Sequence, residues 1–318
     1  MFDLHYDLLT YIYMNKENLN PVKSHLKKIF NNNITGGIFN LFYMSRKEMK
    51  DELGIDNSKI NIIENLREVT KLISDNNLIP KHIKYIYGIE GLDYLERLED
   101  LDEIYDLGVR SVNVVWNNDN KFGGGAKGDE TRGLTSLGEK LIERLVEKKI
   151  AIDLSHTNEK TFYNIAEVCK SLKLKGKNPI IFASHSNAFG ICNHSRNLRD
   201  KQILKIKELG GVVGIVGVKP FCIKEKKFEN DSFKYKKIYL NHIRYMRKIL
   251  GDIQNIAVST DDMTYYKINK EYYKYFNVFN QETIKKELKI LLLDNSFTEY
   301  EIENILYNNF KNKILQRL

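Results

Sequence analysis

Short apolar runs rich in β-branched residues alternate with amphipathic stretches along the whole chain. Stretches such as 135–149 and 158–172 place apolar residues at helical spacing among charged ones. Near-continuous apolar runs that alternate with such helices are typical of a parallel sheet covered on its faces. The predicted strands cover residues 2–9, 36–44, 83–91, 109–116, 150–156, 179–186, 210–217 and 256–262.

Eight strand–helix units in 318 residues predict a closed (β/α)8 barrel, the TIM-barrel architecture of the α/β class. An open, doubly wound sheet is the alternative, but no GxGxxG motif follows the first strand. The chain has four prolines and no low-complexity linker, which favours one domain over residues 1–318. From about Asn280 onward, the pattern predicts two helices that pack on the barrel.

Composition and charge narrow the functional classes. Hydrophobic residues make up 42% and charged residues 29%, as in a soluble globular protein. No apolar run approaches about 18 residues, and no secretory signal opens the chain, so we expect no membrane association and a cytoplasmic location. Cys169, Cys192 and Cys222 are far apart, which favours reduced thiols. The net charge of +8 comes from lysines spread over helix faces, so we expect no nucleic-acid partner.

Polar residues collect at the C-terminal ends of the predicted strands. His5 and Asp7 are two apart in the first strand and therefore point to the same face. The others are Glu90 in strand 3, His156 in strand 5, His185 in strand 6, and Asp261 and Asp262 in strand 8. Because the active site of a barrel lies at this face, these side chains are expected to converge.

The residue types in this set are metal ligands. Three of the seven histidines are at strand ends, while His25, His82, His194 and His242 fall in helices or loops. Imidazoles and carboxylates are the ligands preferred by zinc and similar divalent ions. They are too many for one tetrahedral ion, so two ions that share a carboxylate fit better. Each residue alone could instead be structural, as a buried polar contact or a helix cap.

Longer motifs together resemble the membrane (renal) dipeptidase family, which are zinc peptidases of the amidohydrolase superfamily. The resemblance extends over essentially the whole chain and implies a binuclear-zinc dipeptidase, in which manganese or cobalt could replace zinc. The motifs are "HYD" at 5–7, "IEG" at 89–91, "GVRSVNVVWNNDN" at 108–120, "DLSH" at 153–156, "ASHS" at 183–186, "RN" at 196–197 and "STDD" at 259–262.

The resemblance implies a role for each candidate ligand. His5 and Asp7 bind one zinc ion, and His156 and His185 bind the second. Glu90 bridges the two ions. A hydroxide shared by the ions attacks the peptide carbonyl of a dipeptide that carries a free C-terminal carboxylate.

The resemblance also implies roles beyond the metal ligands. Asp261 handles the proton of the shared water, and Asp262 is the alternative because the stretch reads "TDDMT". Arg196 binds the substrate carboxylate, although on its own it would suggest a surface ion pair. The animal enzymes carry a histidine at the end of strand 4, where this chain has Trp116. We expect Trp116 or Asn117 to contribute to substrate binding, or Trp116 to serve only as wall packing.

Two other functions are compatible with the same residues. One is a different metal-dependent amidohydrolase that acts on a cyclic amide, a lactone or a phosphoester. The other is a catalytically impaired binding protein, suggested by Trp116 and the altered "TDDMT" stretch. The glycine-rich segment 121–133 lacks the GK[ST] ending of a phosphate-binding loop, so we interpret it as a loop at the barrel mouth. The resemblance further suggests a homodimer.

Overall fold

In the computed structural model, residues 1–31, 34–44, 60–225, 231–261, 277–280 and 282–318 are described. Asp262 lies outside these residues. Each predicted apolar run contains a strand. The strands are β1 (Phe2–Tyr6), β2 (Gly36–Phe42), β3 (Lys84–Glu90), β4 (Val109–Asn113), β5 (Ala151–Asp153), β6 (Ile181–Phe182), β7 (Val213–Val216) and β8 (Ile256–Ser259).

Helices separate the strands and follow the last one. They are α1 (Leu8–Met14), α2 (Asn20–Phe30), α3 (Ile62–Asp75), α4 (Asp100–Asp106), α5 (Ser136–Glu147), α6 (Glu159–Leu174), α7 (Asp200–Glu208), α8 (Lys219–Cys222), α9 (Ser232–Leu250), α10 (Ile284–Leu293), α11 (Glu299–Glu303) and α12 (Asn309–Lys313). A π-helical turn, Asn304–Asn308, connects α11 to α12, and a 3-10 turn, Leu315–Arg317, comes last.

The strands close into a ring. β1 to β6 form a parallel sheet in sequence order, and β7 pairs with β8. At the first junction, Ala183 after β6 donates its N–H to Val212 (3.0 Å) and accepts from Gly214 of β7 (2.7 Å). At the second, Asp261 after β8 donates its N–H to the carbonyl of His5 in β1 (3.1 Å). The (β/α)8 barrel is therefore confirmed, and the open-sheet alternative is wrong.

The start of helix α6, beside the site, is determined by a capping residue and an apolar face in the sequence. Asn158 caps it, because its side-chain oxygen accepts from the Thr161 N–H at 2.8 Å. The apolar residues Phe162, Ile165 and Cys169 then recur at helical spacing and are buried. The cap lies two residues after His156, so α6 begins three residues after this ligand.

The C-terminal helix packs against the N-terminal end of the barrel. Phe310 in α12 stacks on Phe2 (ring centroids 5.1 Å apart) and meets Phe182 edge-on (5.5 Å). Among the described residues, no helix has the length and apolar content needed to cross a lipid bilayer. That residues 1–318 form a single domain stays a prediction.

Candidate metal centre and active site

The five candidate ligands meet at the C-terminal ends of the strands, and none is more than 5% exposed. Glu90 lies between the histidines. Its Oε2 is 3.2 Å from Nε2 of His5, while its Oε1 is 2.7 Å from Nε2 of His156 and 3.4 Å from Nε2 of His185. One oxygen of Glu90 thus faces His5, and the other faces His156 and His185. This is the arrangement expected of a carboxylate that bridges two metal ions.

Two sets of ligand atoms surround this carboxylate. Within each set the atoms lie within 4.8 Å of one another. One set is His5, Asp7 and Asp261, and the other is Glu90, His156 and His185. A third group, His5, Asp153 and His185, overlaps both sets. Nε2 of His5 lies 3.4 Å from Oδ1 of Asp7, and neither buried atom makes a hydrogen bond among the described residues. Since buried polar atoms without a hydrogen bond are costly, this donor set fits divalent cations.

Burial and mutual charge shift the titration of these groups. Burial raises the pKa of Glu90 to about 7, and Asp7 adds to this while His5 opposes it. Burial alone would lower the pKa of His5, but Glu90 and Asp7 outweigh it and raise that pKa well above its usual value. Burial lowers the pKa of both His156 and His185 well below the usual value. The last two rings are therefore neutral near pH 7, the form that binds a metal.

The backbone at His156 adopts a conformation that is unusual for a residue with a side chain. Its φ is +73°, in the left-handed region. The loop after β4 supports it, because Ala126 donates its N–H to the His156 carbonyl at 2.8 Å. Asp261, with φ of +45°, shares this feature at the opposite side of the site. Such conformations cost about 1–3 kcal/mol each and cluster at functional sites.

Arg196 lies beside the ligands and is only 6% exposed. Its Nη2 donates to the His185 carbonyl at 3.5 Å, and its guanidinium lies 5.1 Å from the Phe221 ring centroid. Its Nε has no hydrogen-bond partner among the described residues. Burial lowers its pKa to about 10, and the charges of Asp261 and Glu90 oppose this shift. The guanidinium therefore stays charged and has donors to spare for an anionic ligand.

A cavity of about 360 Å³ borders the site on the side of His156 and Arg196. His156 and Arg196 line it together, with Ser186 and Phe189 among the other wall residues. Its volume falls in the range of small-molecule sites. A small ligand in this cavity could contact a metal ligand and a guanidinium at once.

Trp116 and Asn117, the predicted substrate-binding residues, both lie against His156. The Trp116 ring stacks on the imidazole, with centroids 5.7 Å apart, and also contacts Phe42 at 4.9 Å. Asn117 meets Nδ1 of His156 through its side-chain oxygen at 3.0 Å and its backbone nitrogen at 3.3 Å. A contact of either residue with substrate stays a prediction.

The glycine-rich segment folds onto the start of α6. The Asn158 amide donates to the carbonyls of Asp129 (2.9 Å) and Arg132 (2.8 Å). A Cβ at Gly124 would lie 2.3 Å from that amide nitrogen, so only glycine fits there. The segment thus borders the barrel mouth next to the strand end that carries His156.

Several buried polar residues that support the ligands had no role in the sequence interpretation. Asp3 accepts N–H bonds from His5 (3.2 Å) and Thr260 (2.8 Å), which ties the end of β1 to the end of β8. Asp153 and Ser184 lie beneath the imidazoles. The sequence feature that could have identified them is a polar residue inside an otherwise apolar run, such as Asp153 in "IAIDLSH" and Ser184 in "PIIFASHS".

Comparison with known proteins places the chain among peptidases. The model of the membrane dipeptidase family (peptidase family M19) matches residues 1–314. An uncharacterised protein in the pqqA 5′ region of Klebsiella pneumoniae is 35% identical over 163 residues, which is 49% of this chain and 56% of that protein. Dipeptidase aclJ of Aspergillus oryzae is 30% identical over 139 residues, 43% of this chain and 31% of its own length. These matches thus cover little more than half, or less, of the curated relatives.

Solved structures share the fold over the full length. A metallopeptidase from Rhodobacter sphaeroides, liganded with a phosphinate mimic of the dipeptide L-Ala-D-Ala, superposes with a TM-score of 0.76. The match covers 100% of this chain and 99% of that one at 19% sequence identity. At that identity the likeness concerns the fold alone.

Proposed function

Because the chain belongs to the membrane dipeptidase family, we propose that it hydrolyses dipeptides that carry a free C-terminal carboxylate, with the help of two divalent metal ions. The position of Glu90 is the observation that carries this proposal. Its two oxygens face His5 on one side and the pair of His156 and His185 on the other. A carboxylate between two sets of ligands is the core of a two-metal hydrolase.

The ligand types favour zinc, and manganese or cobalt would accept them as well. His5 and Asp7 would hold one ion, His156 and His185 the second, and Glu90 both. Metal ions in such a site lower the pKa of water and polarise a carbonyl group.

Asp261 has the position and the environment of a general base. Its N–H bond to the His5 carbonyl (3.1 Å) holds it at the rim of the first ligand set. Burial raises its pKa, and Asp7 adds to this while His5 and Arg196 oppose it. A carboxylate with a raised pKa is the stronger base. Asp261 would take the proton of the attacking water and deliver it to the leaving amine.

Arg196 would select the substrate. Its buried guanidinium lines the same cavity as His156 and can bind a carboxylate through two parallel hydrogen bonds. A ligand anchored there by its C-terminal carboxylate would place its peptide bond toward the histidines. The names of two matched proteins point the same way, since one is a dipeptidase and the other was solved with a dipeptide mimic.

The protein is also proposed to act in the cytoplasm. Its three cysteines are free and buried, as is usual in reducing compartments. The homodimer stays a prediction that a mass measurement in solution would test.

Metal analysis combined with a substrate panel tests the function. The purified protein should contain about two zinc ions per chain and cleave dipeptides, including some with a D-residue at the C-terminal position. A dipeptide amide, which lacks the carboxylate, should be a poor substrate. Arg196→Ala should raise KM for dipeptides and leave the slow turnover of the amide unchanged.

Other outcomes would replace the proposal. Metal binding without turnover of any dipeptide would identify a binding protein. Turnover of a lactone or a phosphoester, with no turnover of dipeptides, would identify a different amidohydrolase. Equal cleavage of the dipeptide and its amide would show that Arg196 does not bind the substrate carboxylate.

A further inference from the structure

One buried hydroxyl lies against imidazoles from both sets of ligands. Oγ of Ser184 is 2.6 Å from Nδ1 of His185 and 3.3 Å from Nδ1 of His5. Ser184 is fully buried, and the two rings lie above it with centroids 3.9 Å apart. The hydroxyl thus contacts the ring nitrogens that point away from Glu90.

The neighbours of Ser184 determine where its single proton goes. Asp153, at the end of β5, accepts the hydroxyl proton at Oδ2. The other oxygen of this carboxylate, Oδ1, accepts from the backbone N–H of Ser184 (2.9 Å) and of Ser155 (3.0 Å), which fixes its orientation. Because a carboxylate only accepts, the Ser184 hydroxyl has no proton left for either ring. Toward the imidazoles it presents lone pairs.

A ring nitrogen that faces a lone pair must carry a proton to make a hydrogen bond. His5 and His185 are then both protonated at Nδ1, which leaves Nε2 as the nitrogen of each ring that can bind a metal. Those Nε2 atoms are the ones near Glu90, at 3.2 Å and 3.4 Å. At His5 the atom of the Asn40 amide nearest to Nδ1 is Nδ2, at 3.0 Å. A protonated Nδ1 requires a half-turn of this amide, which places its oxygen there to accept the proton.

We propose that Ser184, oriented by Asp153, is a positioning residue that sets the tautomers of His5 and His185 together, and so prepares one ligand of each metal ion. This inference rests on the proposed two-metal function for its purpose, but the protonation pattern is a property of the chain itself. His156 is positioned separately, through Asn117. One serine therefore couples the two halves of the site from beneath.

The first test reads the tautomer directly in the metal-free protein, by ¹⁵N–¹H NMR of labelled histidine at mildly alkaline pH. The His185 ring should carry its proton on Nδ1. Asp153→Asn provides the sharpest contrast, since its amide nitrogen would donate to Oγ and turn the hydroxyl proton toward the ring. In that variant the proton of His185 should move to Nε2. A wild-type ring protonated at Nε2, or no change in Asp153→Asn, would overturn the proposal.

The second test measures zinc affinity by competition with a chelator. Ser184→Ala should weaken the binding of both zinc ions by about 10- to 100-fold, as loss of a hydrogen bond behind a metal ligand typically does. Ser111→Ala, a buried serine of β4, is the matched control and should bind zinc as the wild type does. Unchanged affinity in Ser184→Ala, or weakening at one ion only, contradicts a shared role.

The two tests separate this inference from the proposed function. The NMR measurement needs neither metal nor substrate, so it tests the role of Ser184 even if the protein cleaves no dipeptide. Circular dichroism and urea unfolding of each variant identify any loss of fold. If His185 carries its proton on Nδ1 as expected but no dipeptide is cleaved, the role of Ser184 is supported and the proposed dipeptidase activity is refuted.

Discussion

Asn117 offers Nδ1 of His156 both an acceptor and a donor: its side-chain oxygen lies 3.0 Å away and its backbone N–H 3.3 Å away. The imidazole can therefore keep a partner in either neutral tautomer. On its other side, Nε2 of His156 lies 2.9 Å from Nε2 of His185 and 2.7 Å from Glu90. A proton on Nε2 suits the metal-free protein, whereas a proton on Nδ1 frees Nε2 for a metal.

This contact predicts that Asn117 acts on metal binding through His156. Asn117→Ala should weaken zinc binding at one of the two sites by about 10-fold or more, because the Nδ1–H tautomer loses its acceptor. Asn117→Asp, which keeps an acceptor, should retain zinc. Chelator competition measures both. If Asn117 instead contacts substrate, Asn117→Ala would lower kcat/KM with zinc affinity intact.

Replacement of Glu90 should affect both metal ions at once. Glu90→Gln removes the negative charge and leaves only one ligating oxygen between the two sets. We expect bound zinc to fall from about two ions to one or fewer, and dipeptide turnover to fall by about 100-fold or more. Glu64→Gln, on the exposed face of α3, is the control. A variant that retains two ions would show that Glu90 does not bridge.

Acid should destabilise the protein in part through His242. This fully buried ring accepts from the Ala188 N–H (3.2 Å) and donates to the Cys222 carbonyl (3.0 Å). Burial lowers its pKa from 6.5 to about 4, and the bond to Cys222 opposes this. Between these values the unfolded chain binds a proton that the folded protein does not, so stability present above pH 6.5 is lost as pH falls toward 4.

The measurement is urea unfolding across this pH range. His242 should contribute a slope of up to about 1.4 kcal/mol per pH unit, which is the value for one proton. Glutamine can both accept and donate at the same place without taking up a proton. His242→Gln should therefore lose less stability on acidification than the wild type. Parallel curves would show that His242 does not contribute.

The contact of the C-terminal helix with the barrel should be stabilising. Phe310 is 1% exposed and packs on Phe2 and Phe182. Phe310→Ala should lower the free energy of unfolding by about 3–5 kcal/mol, the usual cost of emptying a buried phenylalanine site. Phe233→Ala is the matched control, since Phe233 is 80% exposed and its loss should cost less than about 0.5 kcal/mol. Similar losses in both variants would contradict this packing.

The barrel could be predicted because each strand is apolar up to its end. A histidine or carboxylate at that point, such as Glu90 or His185, stands out against the pattern and is drawn to one face by the topology. In the described residues, these strand-end side chains do lie together. The supporting contacts were beyond sequence reasoning, since the partners of Ser184 come from β1, β5 and the end of β6. The left-handed backbone of His156 likewise depends on a loop that no periodicity describes.

The bond from Thr260 to Asp3 joins residues that are 257 positions apart in the chain. While the polypeptide is being synthesised, β1 emerges among the first segments and must wait for β8 before that edge is covered. His5 and Asp7 remain beside the open edge during this interval, and contacts of such long range form slowly. Binding of metal by the complete set of ligands would thus indicate that the chain has finished folding. A fragment released before β8 is made would lack both the last neighbour of β1 and Asp261.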